Sequence, residues 1–233
     1  MERLDKLLAA TGRWSRKEAK ALIKAGRVQV AGERPAGPED KVEPGTLVTV
    51  DGRPISTETY VYVMLNKPAG VISSTEDPRE ETVLSLLPNQ LRRLGLFPVG
   101  RLDKDTEGLL LLTNDGPLAH QLLAPNRHVD KVYYTEVDGQ LDEADREAFR
   151  EGLTLADGTV CRPAALEILA DPSQALVTLR EGKYHQVKRM LAARGKPVVY
   201  LKRLSMGPLT LDPSLPTGRW RMLSQEERAA LGR

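Results

Sequence analysis

Apolar residues recur with helical spacing over the first thirty positions and gather into short, strand-sized runs beyond about residue 60. Leu4, Leu7 and Leu8 mark a short helix over residues 4–10 that ends at Gly12. Ala19, Leu22 and Ile23 share one face of a second helix over residues 16–25, because side chains three and four apart meet on a helix surface. That helix has a start signal in Ser15-Arg16-Lys17-Glu18, a capping box whose hydroxyl and carboxylate satisfy each other's free backbone N–H groups. Gly26 supplies the left-handed stop. Val28-Gln29-Val30 and residues 47–50 alternate as strands, and Ala31-Gly32 makes a turn after the first. Asp51-Gly52-Arg53-Pro54 and the polar stretch to Thr59 predict a linker. The expected division is therefore 1–56 for a small domain with its linker and 57–233 for a larger one.

In the second part the pattern predicts strands at 60–65, 109–113, 132–137, 164–169, 175–180, 198–204 and 209–211. Helices are predicted at 117–123, 143–151, 184–194 and, after the Ser224-x-x-Glu227 box, 225–231. Runs of strands interrupted irregularly by helices, rather than strict alternation, place the chain in the α+β class.

Composition narrows the possibilities. Forty per cent hydrophobic and 28% charged residues are enough for a proper core. No apolar run approaches the eighteen or so residues a membrane span needs, and the N-terminus lacks the apolar centre of a secretory signal. Cys161 is the only cysteine, so an internal disulfide is excluded and a cytoplasmic protein is expected. The net charge is only +2, but residues 1–30 hold eight Lys/Arg against three Asp/Glu, while the remainder holds 26 against 29. A basic end on a mildly acidic body suits a module that docks on phosphates. A solvated surface reads equally well from charge alone.

Phosphate-binding glycine loops, dinucleotide turns and metal-ligand spacings do not occur, so neither a cofactor nor a metal is expected. His120, His128 and His185 are scattered and read as structural or surface residues. Attention falls on Gly100-Arg101-Leu102-Asp103-Lys104-Asp105-Thr106-Glu107-Gly108, a polar loop leading into the apolar run Leu109-Leu110-Leu111-Leu112. Scaffolds place catalytic groups at such strand mouths, although a surface turn would also account for it. The tetrapeptide Arg-Leu-Asp-Lys carries little by itself, since it recurs at residues 3–6.

The frame around the second copy closely resembles the Gly-Arg-Leu-Asp motif of the RsuA/RluB-type pseudouridine synthases. Leu65-Asn66-Lys67-Pro68-Ala69-Gly70 is similar to the element that opens their catalytic domain, and Lys131-Val132-Tyr133 to their Lys-x-Tyr motif. Glu181-Gly182-Lys183-Tyr184-His185-Gln186-Val187-Lys188-Arg189-Met190 resembles their third motif, in the form found in the small-subunit branch. The first fifty residues resemble an S4 RNA-binding domain.

The resemblance implies an S4-like α/β domain followed by a mixed, largely antiparallel catalytic sheet, and a reaction that converts a uridine of ribosomal RNA, expected to be 16S, to pseudouridine. It implies Asp103 as the catalytic carboxylate, Lys188 as its ion-pair partner and Tyr133 as the ring that stacks on an extruded base. Because Lys replaces the commoner Arg, a point-charge contact is expected. Arg101 is expected to fill the vacated stack and hold phosphate, or else to pair with Asp105 or Glu107. Arg16, Lys17, Lys20 and Lys24 on the second helix, extended by Arg3, Lys6 and Arg27, would grip RNA phosphates. The implied partner is 16S rRNA or an assembling small subunit, met by a monomer. Alternatives are a large-subunit synthase and a non-catalytic ribosome-associated RNA-binding factor. A glycoside hydrolase would need two carboxylates at a set gap, which Asp103 and Asp105 do not establish.

Overall fold

Short segments near the N-terminus fold by local rules. Strand β1 (Glu2–Arg3) runs into α1 (Leu4–Ala10), and α2 (Arg16–Lys24) follows. The predicted box caps α2, with Glu18 N donating to Ser15 Oγ at 3.3 Å and Ser15 N to the Glu18 carboxylate at 2.6 Å. Next come β2 (Val28–Val30), β3 (Lys41–Val42), β4 (Val48–Val50) and β5 (Arg53–Ile55). The apolar faces of α1 and α2 meet Val28, Val42, Val48, Val50 and Ile55 in one core.

The computed structural model describes residues 1–43, 45–55, 60–124 and 129–233. It divides into two compact units, Met1–Val61 with Leu87–Leu96, and Tyr62–Leu86 with Phe97–Arg233.

The first unit corrects the linker. Arg53–Ile55, read from sequence as linker, forms the outer strand of a three-stranded sheet in the order β2-β4-β5. Asp51 and Gly52 connect β4 to β5 with φ of 52° and 74°. Two successive positive φ values match the twist of an antiparallel hairpin, which is why Asp-Gly makes a turn here. Pro54 is tolerated because an edge strand has a side that needs no N–H donor. Residues 56–59 of that stretch, and His128, lie outside the described residues. The four-residue helix α3 (Asn89–Arg92) also belongs to this unit and is too short to show a period. A side chain at Gly12, where φ is 71°, would stand 2.5 Å from the Gln90 carbonyl, so close approach demands glycine there.

The second unit is built on one sheet. Its strands are β6 (Tyr62–Lys67), β7 (Phe97–Pro98), β8 (Glu107–Thr113), β9 (Lys131–Val137), β10 (Ala165–Ile168), β11 (Gln174–Leu179), β12 (Val198–Met206), β13 (Leu209–Thr210) and β14 (Trp220–Met222). The order is β10-β11-β9-β12-β8-β6-β14, with β13 on β12 and β7 on β8. Among the named strands only β8 and β12 pair in parallel, in keeping with the expected largely antiparallel α+β fold. Helices α4 (Gly116–Leu123), α5 (Glu143–Glu151), α6 (Gln186–Ala193) and α7 (Gln225–Ala230) complete it.

Two cores cover the two faces of this sheet. Met64, Leu109 and Leu111 pack with Leu118 and Leu122 of α4 and with Leu231 just past α7. Val137, Val177, Leu179 and Leu201 pack with Phe149 of α5 and with Val187 and Leu191 of α6. Alternation along each strand places these sets on opposite sides. The strands β7 and β14, of two and three residues, carry too little pattern to be predicted. Cys161 is buried in the second core, as its apolar character suggests.

Candidate active site

Asp103 sits on a loop whose backbone is held from below. Gly100 turns the chain with φ of 76°, Leu102 is buried, and Ser73 Oγ both accepts from Leu102 N at 3.0 Å and donates to Leu102 O at 2.9 Å. Lys67, the last residue of β6, is fully buried and directs its ammonium at the carbonyls of Asp103, Lys104 and Thr106, at 3.0, 3.2 and 2.9 Å. A fourth carbonyl, that of Pro68, lies at 3.0 Å. Burial pushes this ammonium down to about 8, against the pull of Asp105 and Asp103. The Asn66-Lys67-Pro68 element is thus the floor that fixes the loop's shape.

Across from the loop stands α6. Its N-cap residue, His185, adopts φ of 46°, so the helix begins at Gln186 rather than at the predicted 184. Gln186 is buried and ties the helix start down, accepting from Lys183 N at 3.0 Å and donating to Glu181. Val187, Met190 and Leu191 anchor the helix in the second core. These contacts aim Lys188 back at the loop. Its Nζ lies 3.3 Å from Asp103 Oδ2 and 2.5 Å from Asp105 Oδ1. The contact is a point charge shared between two carboxylates, as expected of lysine. The hydrogen bond from Lys188 holds the Asp105 carboxyl below its usual range. His185 Nε2 lies 3.3 Å from the other Asp103 oxygen, and its ring stacks on exposed Tyr184 at 3.8 Å.

Tyr133 is half-buried on β9, two strands from β8, and packs against the core that holds α6. Register places it in one cross-strand row with Arg203 of β12, Gly108 of β8 and Lys67 of β6. The next residue on β9, Tyr134, is also half-buried. Its hydroxyl meets Glu136 at 2.7 Å and its ring meets Tyr200 edge-on at 6.0 Å. Arg101 is exposed and makes no ion pair among the described residues, since Asp105 is engaged by Lys188 and Glu107 by Tyr200.

The N-terminal cations divide into two groups. Arg3 meets the buried Asp5 at 3.0 Å, Arg16 at 3.4 Å and Lys20 at 3.8 Å. Chiefly through its hydrogen bonds from Arg3, Asp5 falls to about 2. Lys6 pairs with Glu2 and Arg27 with Asp51. Lys17 and Lys24 are exposed and form no ion pair among the described residues. Much of the basic surplus read from sequence is therefore already turned toward carboxylates.

Residues 61–193 match the RNA pseudouridylate synthase family and residues 2–48 match the S4 domain. The chain belongs to the RNA pseudouridylate synthase family. It is 49% identical over 229 residues, covering 97% of its own length and 96% of the relative's, to a Bacillus subtilis protein named uncharacterized RNA pseudouridine synthase YtzG. It is 39% identical to the ribosomal small subunit pseudouridine synthase A of Escherichia coli K12, over 98% of this chain and 99% of that one. A crystal structure of a pseudouridylate synthase aligns with a TM-score of 0.70 and 34% identity, covering 99% of this chain and all of that one.

For this RNA pseudouridine synthase, sequence reasoning missed two neighbours of Asp103. His185 was read as a structural or surface residue, yet it contacts the Asp103 carboxylate. From sequence Asp105 is a partner for Arg101 or an unestablished second carboxylate, yet it shares Lys188 with Asp103. The signal for His185 lay in its place three residues before Lys188, since both end up at the first turn of one helix. Arg189, the next residue after Lys188, is tied to Asp157 at 2.5 Å. No helix among the described residues is long and apolar enough to cross a membrane.

Proposed function

We propose that this synthase isomerises a uridine of small-subunit ribosomal RNA, with Asp103 as the catalytic carboxylate. The observation that carries this reading is the 3.3 Å ion pair between Asp103 and Lys188, side chains 85 positions apart in sequence. A cation at that distance, carried on a helix anchored in the core, fixes where the half-buried carboxylate points. His185 Nε2 meets the second oxygen at 3.3 Å, so both oxygens of the carboxylate are positioned.

An ionised carboxylate can begin the reaction in two ways. It adds to C1′ as the N1–C1′ bond breaks, giving an ester to the sugar, or it takes the C2′ proton and leaves a glycal. In both, the freed uracil turns and C5 bonds to C1′, as the ester bond to Asp103 breaks in the first route or as Asp103 returns its proton to C2′ in the second; the C5 proton is then lost and N1 gains one. No atom is gained overall. A uridine inside folded RNA must first be flipped out, at a cost of a few kcal/mol. Tyr133 then stacks on the base, and the unpaired Arg101 takes the vacated place and holds phosphate. Residues 1–56 serve as the RNA-binding module, with Lys17 and Lys24 free for phosphate, and residues 57–233 as the catalytic domain. The small-subunit assignment is supported by the full-length similarity to synthases of that name and by Tyr184-His185-Gln186-Val187-Lys188.

Carbodiimide mapping of rRNA from cells with and without the gene tests both parts. One pseudouridine stop in 16S rRNA should vanish without the gene, return with the wild-type protein and stay absent with Asp103→Asn. A stop lost from 23S rRNA instead would move the substrate to the large subunit. Unchanged stops in both RNAs would sink the reading.

A further inference from the structure

Arg203 is the largest fully buried side chain of the described residues, at 2% exposure. Its Nε donates to the Leu109 carbonyl at 2.8 Å, while one of its terminal nitrogens, Nη2, is buried with no hydrogen-bond partner. No carboxylate forms an ion pair with it among the described residues. A guanidinium cannot shed its proton in a protein, so a positive charge stands here uncompensated.

A second buried cation stands close by. Lys131, two residues before Tyr133 on β9, is 9% exposed and among the described residues reaches only the Val129 carbonyl, at 3.3 Å. Burial, followed by the nearby charge of Arg203, lowers its pKa. The adjacent Asp130 is turned to Arg180 at 2.7 Å. Two buried cations without an anion between them are costly unless something else supplies the negative charge.

Position says what that is. Arg203 is the direct cross-strand neighbour of Tyr133 on one side and of Gly108 on the other. A side chain at Gly108 would stand 2.2 Å from the Arg203 carbonyl, so glycine is what lets β8 and β12 approach here. Directly opposed residues point to the same face of a sheet, and Tyr133 packs on the α6 side. The charge therefore lies beside the ring on which the base is read to stack.

We propose that Arg203, assisted by Lys131, stabilises the negative charge that the uracil ring carries after the N1–C1′ bond breaks. That bond breaks with its electron pair left on the ring, spread over N1, O2 and O4, while C1′ is taken by Asp103 or stabilised by loss of its C2′ proton to Asp103. A fixed charge in a water-poor site favours a developing anion without reorganising. This inference rests on the reading of Tyr133 and Asp103 given above and adds what holds the departing base.

The test compares wild type, Arg203→Met and Arg203→Lys in single-turnover reactions on target RNA transcripts carrying either uridine or 5-fluorouridine. Cleavage of the N1–C1′ linkage is read by loss of the N-linked nucleoside after nuclease digestion. Wild-type turnover, absent in Asp103→Asn, tests the underlying reading by itself. Arg203→Met should bind RNA within twofold of wild type and keep or raise the melting temperature, because it removes an unpartnered buried charge. It should slow uridine cleavage at least thirtyfold, but 5-fluorouridine no more than fivefold, since fluorine stabilises the same anion. Arg203→Lys should recover most of the uridine rate. Equal slowing of both bases, a uridine rate within threefold of wild type, or a Met variant that melts several degrees lower or fails to fold would each overturn the proposal.

Discussion

The same four residues, Arg-Leu-Asp-Lys, stand at positions 3–6 and 101–104, and the protein uses them in opposite ways. In both, the leucine is buried, Leu4 completely and Leu102 nearly so. In the first copy Asp5 lies within α1, fully covered, with Arg3 of its own tetrapeptide as its closest partner. In the second, Asp103 lies on a loop, its side chain 28% exposed, and its partners come from α6 and its N-cap. Arg101 forms no ion pair among the described residues, and Lys104 turns to Glu80 at 2.6 Å. A carboxylate satisfied by its own segment is structural. One that stays open to solvent and is held in place by a distant lysine is available to a substrate.

Exchange of one carboxylate at a time breaks the comparison most sharply. Asp103→Asn should lower single-turnover pseudouridine formation by about a thousandfold or more while leaving RNA affinity and melting temperature near wild type. A variant with a tenth of the activity would remove Asp103 from its role. Lys188→Met should cost roughly a hundredfold in rate, and Lys188→Arg should restore most of it, because the charge beside Asp103 is what matters.

Asp5→Asn should leave the rate per folded molecule unchanged and lower stability by on the order of 2 kcal/mol, discounted because the cations around it are half-exposed. The melting temperature then falls by about 5 °C. The hydrogen bonds from Arg3 hold Asp5 at about 2 against an ordinary 3.8. Its stabilisation is therefore complete above about pH 4 and is lost as pH falls through 2, so urea midpoints of wild type and variant should converge in acid.

Lys67 runs the other way. Its folded value of about 8 lies below the ordinary 10.5. Below pH 8 the buried charge opposes folding. Between 8 and 10.5 the unfolded chain keeps a proton that the folded chain has released, so stability gains as pH rises. Relative to Lys67→Met, wild type should gain on the order of 1–2 kcal/mol between pH 7.5 and 10, read from urea midpoints.

The smallest effect concerns the N-terminal cations. Lys17→Gln with Lys24→Gln should reduce the salt slope of RNA binding by about two, one for each free charge. Arg16→Gln, whose charge is already turned to Asp5, should reduce it by less. Equal slopes for all of these would mean that α2 does not meet RNA.

How much was legible follows the range of each interaction. The boxes at Ser15 and Ser224 close within four residues, and both helices begin where those boxes predict. The long strands β6, β8, β9 and β12 bury enough apolar residues to show in a window, though their ends shift by one or two positions. Arg53–Ile55 was misread because Asp-Gly reads as a loop until a partner strand is known to lie beside it. His185 hid because its contact depends on a left-handed residue that no apolar period predicts.

By itself the sequence determined the α+β class, the caps, the apolar faces and, through motif likeness, which carboxylate to watch. These rest on neighbours within a few residues or on patterns along one chain. Tertiary structure alone decided that Asp5 would be sealed and Asp103 open, that Lys188 would serve two aspartates, and that Arg203 would lie buried without an anion. Each of these depends on which segments cover a charge or bring another within a few ångströms of it, and a Coulomb energy is set by that distance and by the burial around it.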